Sequence, residues 1–345
     1  MSKEPFPYQA LLQWFEEHQR LLPWRQSPSP YSVWVSEVML QQTKAETVIP
    51  YFKKWMDLFP TIEALAKAQY EVVLKAWEGL GYYNRVRHLH AGAKEICKRF
   101  GGVFPEQKKE LEKIRGIGPY TVGAILSFAF GVKTPCIDGN VTRVLSRYFL
   151  VQKEVDSSNG RNKVWKLAEK MVQMSPSHTI SEALIELGAL ICQKKPRCDE
   201  CPIKRGCLAY KRGMVDKLPK KREKIVYENK VRIVLVIRHK EEVLVKRCGP
   251  KEIMEDLHEF PYVDGDKEDE VTFLLEKWGI STTNMQKLPK VKQFFTRFRF
   301  TLYPRSFQVE KMQKIPGYFW ISLSEIGKLS FSSGHRKILE NLLKL

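Results

Sequence analysis

From Tyr8 to about Ala209 the apolar positions recur at helical spacing almost throughout. Leu65, Val72, Val73 and Trp77, and then Leu89, Ala93 and Ile96, keep the period of about 3.6 residues that an amphipathic helix requires. Gly79, Gly81, Gly101–Gly102 and Gly131 fall where helices in that register would end. Residues 1–215 are therefore expected to form one mainly α unit. The chain shows no repeat of fixed period and no low-complexity tract.

The texture changes after DKLPKKREKIVYEN, a charged, Pro-containing segment that reads as a linker over 216–229. VRIVLVIRH (231–239) and EEVLVKR (241–247) are β-branched runs flanking a short polar turn, a hairpin signal. KQFFTRFRFTLYP (292–304) alternates strongly, and SSGHRKILENLLKL (332–345) returns to helical spacing. Residues 230–345 are expected to form a smaller α+β domain, which makes the chain multidomain: all-α, then α+β.

Charge changes the picture more than length does. The 345 residues give room for two domains. A formal net charge of +19 and a pI near 9.5 point to a polyanionic partner, most simply nucleic acid rather than a membrane surface. The start, MSKEPFPYQALLQWFEE, has charges and prolines where a signal peptide needs an apolar block. The expectation is a cytoplasmic, nucleoid-associated protein in a reducing compartment.

Two stretches carry candidate chemistry. In IRGIGPYTVGAILSFAFGVKTPCIDGN (114–140), Gly116, Ile117 and Gly118 make a tight turn before a helix starting at Pro119. The segment Val122–Val132 is apolar enough to be buried and far short of the ~20 residues a membrane span needs. Glycines at such a turn let backbone N–H groups approach an anion, so Gly116 and Gly118 suit a phosphate. Asp138 arrives just before the next helix. Taken alone, these residues are more simply a turn and an N-cap, a position where Asp is favoured. The second stretch holds four of the seven cysteines, Cys192, Cys198, Cys201 and Cys207, spaced C-x5-C-x2-C-x5-C. Cys97, Cys136 and Cys248 lie singly. A reducing compartment disfavours disulfides, so the quartet reads as metal-binding. Structural zinc usually takes two short pairs across a longer loop, whereas one C-x2-C with a cysteine on each side suits a cuboidal iron–sulfur cluster; spacing alone leaves both open. Lys194, Lys195, Arg197, Lys204 and Arg205 interleave with the ligands and would present a basic loop to a phosphate backbone.

Together the glycine hairpin, the aspartate and the four cysteines resemble the endonuclease III superfamily of helix-hairpin-helix DNA glycosylases. YSVWVSEVMLQQTKAETVIPYF (31–52), GLGYYNRVRHLH (79–90), IDGNVTRVL (137–145) and EALIELGALIC (182–192) narrow the resemblance to the MutY family of A/G-specific adenine DNA glycosylases. The C-terminal part is similar to that family's MutT-like, Nudix-like domain. The resemblance implies a monomeric base excision repair enzyme that acts on double-stranded DNA. It would hydrolyse the N-glycosidic bond of adenine mispaired with 8-oxoguanine or guanine, and carry a [4Fe-4S] cluster on the four cysteines.

The resemblance also assigns residues. Glu37 becomes the general acid towards adenine N7, and Asp138, oriented by Asn140, the ionised carboxylate facing an oxocarbenium-like sugar. The neighbours of Glu37 agree: Val33, Trp34 and Leu40 share its helix face, so its carboxyl is desolvated and keeps a proton. Trp24, Arg25 and Glu182 would line the adenine pocket, while Gln42 and Tyr82 would wedge into the duplex as the base leaves the stack. Arg85, Arg87 and Arg143 would contact phosphates. Glu182 and Glu186 stand one helical turn apart, a spacing at which one of them can simply be exposed.

The chain also departs from its family. Bifunctional relatives carry a Schiff-base lysine at the position of Tyr120, and a phenol forms no imine, so a monofunctional glycosylase is expected. The first cysteine gap is one residue shorter than usual. Phe295, Thr296 and Arg297 stand where the family reads 8-oxoguanine with Phe-Ser-His, and arginine offers donors but no acceptor. DGDKEDEVTFLLEKWG (264–279) keeps only fragments of a Nudix box, so the second domain should recognise rather than hydrolyse. The rival enzyme, an endonuclease III-like glycosylase/lyase acting on oxidised pyrimidines, is opposed by Tyr120 and Glu37. A non-catalytic helix-hairpin-helix DNA-binding protein would need neither Glu37 nor Asp138.

Overall fold

The computed structural model describes residues 6–222, 226–250, 252–295 and 297–344; Thr296 lies outside the described residues. Two compact units emerge, one combining Met1–Ala68 with Asn84–Glu223 and the other Gln69–Tyr83 with Lys224–Leu345. In chain order the first thirteen helices are α1 (Tyr8–His18), α2 (Pro23–Gln26), α3 (Pro30–Leu40), α4 (Ala45–Leu58), α5 (Ile62–Lys67), α6 (Tyr70–Trp77), α7 (Asn84–Phe100), α8 (Lys108–Leu111), α9 (Pro119–Ala124), α10 (Gly139–Tyr148), α11 (Ser158–Met174), α12 (Ile180–Leu190) and α13 (Leu208–Lys211). Of these, α6 belongs to the second unit, a departure from the expected single helical unit over 1–215. Among the described residues no helix is long and apolar enough to cross a membrane.

In the first unit α3 begins at a reciprocal cap. Ser29 Oγ accepts from the Ser32 N–H, and Ser32 Oγ accepts from the Ser29 N–H, with Pro30 at the first helical position. Every residue from Tyr31 to Met39 is buried, as befits a helix without a polar face. Leu11, Trp14 and Phe15 of α1 pack with Val141, Val144, Leu145 and Tyr148 of α10 and with Ile180, Ala183, Leu184 and Leu187 of α12; Cys192, Cys201 and Cys207 lean on this core. The apolar helix after Pro119 is α-helical only to Ala124 and continues as a π-helical turn, Ile125–Ala129.

The expected linker is docked over its first part. Arg147 Nε donates to the Val215 and Leu218 carbonyls at 3.0 Å each, Lys220 O accepts from the Val155 N–H at 2.9 Å, and the Arg222 N–H donates to Asp156 at 3.1 Å. A buried guanidinium needs acceptors and a charged chain segment offers its carbonyls, so composition alone misjudges this stretch.

The second unit is a mixed sheet. β1 (Glu228–His239) and β2 (Glu242–Arg247) form the expected hairpin, with His239 opposite Glu242. β3 (His258–Glu259), β4 (Tyr262–Asp264), β5 (Thr282–Lys287), β6 (Val291–Phe295), β7 (Phe298–Val309) and β8 (Phe319–Ser322) complete it; β1 and β7 run parallel, Glu228 beside Phe298. Both faces are covered. Val234, Val236, Val243 and Val245 meet Ile338, Leu339 and Leu342 of one helix, α15 (Ser333–Leu342). Ile233, Leu235, Ile237 and Leu244 meet Val271 and Leu275 of the other, α14 (Glu268–Lys277).

Candidate active site

Glu37 sits two-thirds of the way along α3 and is 6% exposed. The Tyr120 hydroxyl, from the first turn of α9, donates to its Oε2. Burial pushes the Glu37 carboxyl from an ordinary 4.5 up to about 7. Asp138 and Glu182 push in the same direction, while the Tyr120 bond and Arg25 oppose them.

Asp138 is the N-cap of α10. Its Oδ1 accepts from the Val141 N–H at 2.7 Å, and its Oδ2 from Asn140 Nδ2 at 2.6 Å. Burial raises this carboxyl too, against the two bonds and the nearby Arg143. Asn140 is itself held, its Oδ1 accepting from Arg143 Nη2 at 2.8 Å. Arg143 also donates to the Gly188 carbonyl at 2.7 Å and the Cys192 carbonyl at 2.6 Å. A Cβ on Gly188 would fall 2.5 Å from Asn140 Cβ, so glycine here lets α12 approach α10 closely.

Trp24 is buried edge-on against Phe52, ring centroids 5.4 Å apart. Arg25 Nε lies 3.3 Å from Glu182 Oε2, and Arg25 Nη2 donates to Glu186 Oε2 at 3.0 Å. Neither glutamate is exposed, contrary to the expectation that one of them is free: Glu186 is fully buried and Glu182 largely so. The reason is Arg20, which sequence reasoning passed over and which donates to Glu186 through Nε at 2.8 Å. Burial works against the Glu186 anion, yet the two arginines outweigh it and hold the carboxyl below the ordinary glutamate range.

Trp24, Arg25, Glu37, Gln42, Tyr120, Asp138, Asn140 and Glu182 line one cleft of about 2290 Å³, all within the first unit. Drug-sized pockets run to about 300–1,000 Å³, so this cleft suits part of a macromolecule. Gln42 and Tyr82 are exposed and adopt positive φ, +60° and +50°. For non-glycine residues that is uncommon and repays attention as a functional feature. Two of the arginines expected on phosphates are engaged internally. Arg143 is spent as described above. Arg85 Nη1 donates to the Val38, Met39 and Gln41 carbonyls at 2.8, 3.0 and 2.6 Å, satisfying acceptors that the end of α3 leaves open. Arg87 bonds Asn84 Oδ1 at 2.6 Å.

The hairpin forms as its glycines require. Gly116 has φ +85°, where a Cβ would also meet His88 Cβ at 2.9 Å, and Gly118 is the N-cap of α9 with open space around it. Cys192, Cys198, Cys201 and Cys207 line one small cavity with Arg147, Ile191, Pro196, Lys204, Tyr210 and Val215. Arg147, buried on α10, donates to Cys192 Sγ at 3.3 Å and to the Gln193 carbonyl at 2.6 Å. A single arginine among Val144, Leu145 and Tyr148 was the available signal for it. Among the described residues no three His, Cys, Asp or Glu side chains are gathered as a metal ion requires. In the second unit Phe295 pairs with Phe298 across the β6–β7 turn. Arg297 is exposed there, its Nε 3.2 Å from Glu228 Oε1 and its cation over the Phe298 ring.

Comparison with known proteins adds independent findings. The family model described as HhH-GPD superfamily base excision DNA repair protein matches residues 35–170, and a NUDIX domain model matches residues 233–341. The adenine DNA glycosylase of Buchnera aphidicola subsp. Acyrthosiphon pisum is 33% identical over 349 residues, covering 97% of this chain and 97% of the relative. The human adenine DNA glycosylase is 40% identical over 213 residues, covering 59% of this chain and 39% of the relative. Among solved structures, a thermostable thymine-DNA glycosylase superposes with a TM-score of 0.54 at 26% identity, over 59% of this chain and 95% of that one. A non-covalent endonuclease III–DNA complex superposes at 0.50 and 21% identity, over 60% and 94%, and shares the fold.

Proposed function

The chain belongs to the adenine DNA glycosylase family, and from that premise we propose that it excises adenine paired with 8-oxoguanine or guanine and leaves the abasic strand uncut. It is a base excision repair adenine glycosylase; the mispair and the residue roles are the proposal. The observation that carries the residue roles is a buried carboxyl, Glu37, sharing a cleft with a second carboxyl, Asp138, that is surrounded by donors.

Glu37, protonated up to about pH 7, gives its proton to adenine N7. The C1′–N9 bond then breaks with its electron pair leaving on the base, and positive charge develops on the sugar ring. Asp138, whose anionic form the Val141 N–H and the Asn140 amide favour, faces that charge. Water adds at C1′ and gives its proton to the Glu37 carboxylate, which restores the acid. Tyr120 orients Glu37 through its hydroxyl and, having no amine, forms no covalent link to the abasic sugar. Trp24, Arg25 and Glu182 form the wall that receives the flipped base; Gln42 and Tyr82, each exposed in left-handed backbone, are the duplex-wedging residues of this reading. Gly118 leaves the hairpin backbone open to a phosphate, and Gly116, packed on His88 in left-handed backbone, makes the turn before it.

Cys192, Cys198, Cys201 and Cys207 would hold a [4Fe-4S] cluster; the cavity they share and the Arg147 N–H donated to Cys192 Sγ support the fit. When bound, it would fix the basic loop against a phosphate backbone. The second unit recognises the opposing base, with Phe295, Thr296 and Arg297 as its candidate readers. It does not hydrolyse nucleotides: the Nudix box is broken, and Glu268 of α14 is paired with Arg305 at 2.9 Å. The partner is duplex DNA bound by one protein chain in the nucleoid.

Single-turnover incubation with duplexes carrying A opposite 8-oxoguanine, A opposite guanine, and thymine glycol tests the reading. Adenine loss with strand cleavage only after added alkali supports it. Spontaneous scission, or release of thymine glycol in place of adenine, sinks it.

A further inference from the structure

Glu186 exposes none of its side chain, and the excision chemistry gives it no task. Its Oε1 accepts from the Arg20 backbone N–H at 2.9 Å and Arg20 Nε at 2.8 Å; its Oε2 accepts from Arg20 Nη2 at 3.1 Å and Arg25 Nη2 at 3.0 Å. Arg25 Nη1 in turn donates to the Arg20 carbonyl at 3.3 Å. Taking a carboxylate out of water is expensive, and buried ion pairs are often no more stabilising than apolar packing of the same volume. Four donors converging on one buried anion beside a reaction cleft therefore fit a positioning task better than a stabilising one.

We propose that Glu186 is a positioning residue for adenine excision, holding the Arg20 and Arg25 guanidinium groups on the Trp24 wall of the cleft and balancing their charge there. The inference rests on the adenine reading of that cleft. Its consequence runs through Glu37. From α2 Arg25 faces Glu37 and favours its anion; from α9 Tyr120 donates to it; Asp138 before α10 and Glu182 of α12 oppose its ionisation. Cys136 lies close by as a buried thiol. On α4, Glu46 is 3.8 Å from Arg20, and on α7, Arg85 is engaged with the α3 carbonyls. The π-helical turn Ile125–Ala129 contributes no titratable side chain. Removing the Glu186 charge leaves Arg25 only Glu182 and Arg20 only the exposed Glu46 as acidic partners among the described contacts, and the added positive charge beside Glu37 drives it to release its proton at lower pH.

Glu186→Gln keeps the volume and removes the charge. Single-turnover excision of A opposite 8-oxoguanine is followed across roughly pH 5 to 9, where the amplitude reports folded protein and the rate constant reports chemistry. The alkaline midpoint is expected to fall by about half a pH unit or more. Arg20→Gln, which leaves the Glu186 anion under-compensated, should move it the opposite way. The Glu186→Gln shift should also shrink when Arg25→Gln is already present. Midpoints that stay put in both single variants, or a shift as large without Arg25, overturn the inference. If Glu186→Gln gives no folded protein, the sign of the Arg20→Gln shift decides alone. A wild-type protein that releases no adenine overturns the underlying reading and the inference with it, and that failure is distinct from an active enzyme whose midpoint does not move.

Discussion

Replacing the proposed acid should make the protein more stable at alkaline pH even as it abolishes excision. Glu37 titrates at about 7 in the fold against an ordinary 4.5, a gap of about 2.5 pH units. At about 1.4 kcal/mol per pH unit, the fold loses on the order of 3 kcal/mol from this one carboxyl once the solution is well above pH 7. The sign follows from proton counting. Between pH 4.5 and 7 the folded protein still binds a proton that the unfolded chain has released, so stability falls as pH rises through that window and levels off above it. Glu37→Gln has no proton to lose, and its side-chain oxygen still accepts from the Tyr120 hydroxyl. Urea unfolding of both proteins, read by far-UV circular dichroism at the helical transition, should be compared at about pH 5 and about pH 8. Any constant cost of the new amide cancels in that comparison. The variant should gain on the order of 2–3 kcal/mol relative to wild type on going to the higher pH, a large part of a typical domain's total stability. An equal difference at both pH values, or a gain at the acid end, would refute the desolvation argument and with it the reason for calling Glu37 the acid.

Asp138→Asn keeps an acceptor for the Val141 N–H, so α10 keeps its cap while the anion is lost; single-turnover excision should drop on the order of 100-fold or more with duplex binding in a gel shift retained, and unchanged excision would remove Asp138 from the chemistry. Tyr120→Lys places an amine beside Glu37, and borohydride should then trap a covalent protein–DNA adduct; absence of any adduct contradicts the reading of this position. Gly188→Ala drives a Cβ to 2.5 Å from Asn140 Cβ, an overpacking expected to cost about 1–3 kcal/mol in urea unfolding and to slow excision by displacing the Asp138 partner. Elemental analysis of purified protein should find iron and acid-labile sulfide in equal amounts, both lost in Cys198→Ser; stoichiometric zinc in their place would exclude the cluster.

What was legible in the sequence was local. The burial of Glu37 could be read because VWVSEVML offers its helix no polar face, and Tyr31 to Met39 are indeed all buried. The β1–β2 hairpin and the closing helix followed from β-branched runs, a polar turn and a return to helical spacing. What escaped was long-range pairing. Arg20 and Glu186 are 166 residues apart, so no window along the chain joins them, and each alone looks like an ordinary surface charge. Arg147 holds carbonyls of the cysteine loop and of the presumed linker, turning a charged, Pro-containing segment into a docked one. The assignment of α6 to the second unit was invisible for the same reason: its period says helix and nothing about which core it joins.

The two carboxylates show why cap and catalyst are not competing accounts of Asp138. Desolvation by burial pushes both carboxyls upward. Donors separate them. Glu37 lies mid-helix, where backbone N–H groups are already spent on the α-helical ladder, and the phenol of Tyr120 is its one hydrogen-bonding side-chain partner among the described contacts. Asp138 stands at the opening of α10, where the first N–H groups have no helical acceptor and must find one. The Val141 N–H therefore points at Asp138 Oδ1 as a matter of helix geometry, and the positive end of the helix dipole lies behind it. Asn140, one turn-position into the same helix, closes on the other oxygen and is fixed in turn by Arg143. The cap is thus the source of the anion's stability. In the proposed mechanism the helix interior leaves Glu37 short of donors and so favours its proton, while the helix start supplies donors that favour the Asp138 anion, the division of labour that glycosidic bond cleavage needs.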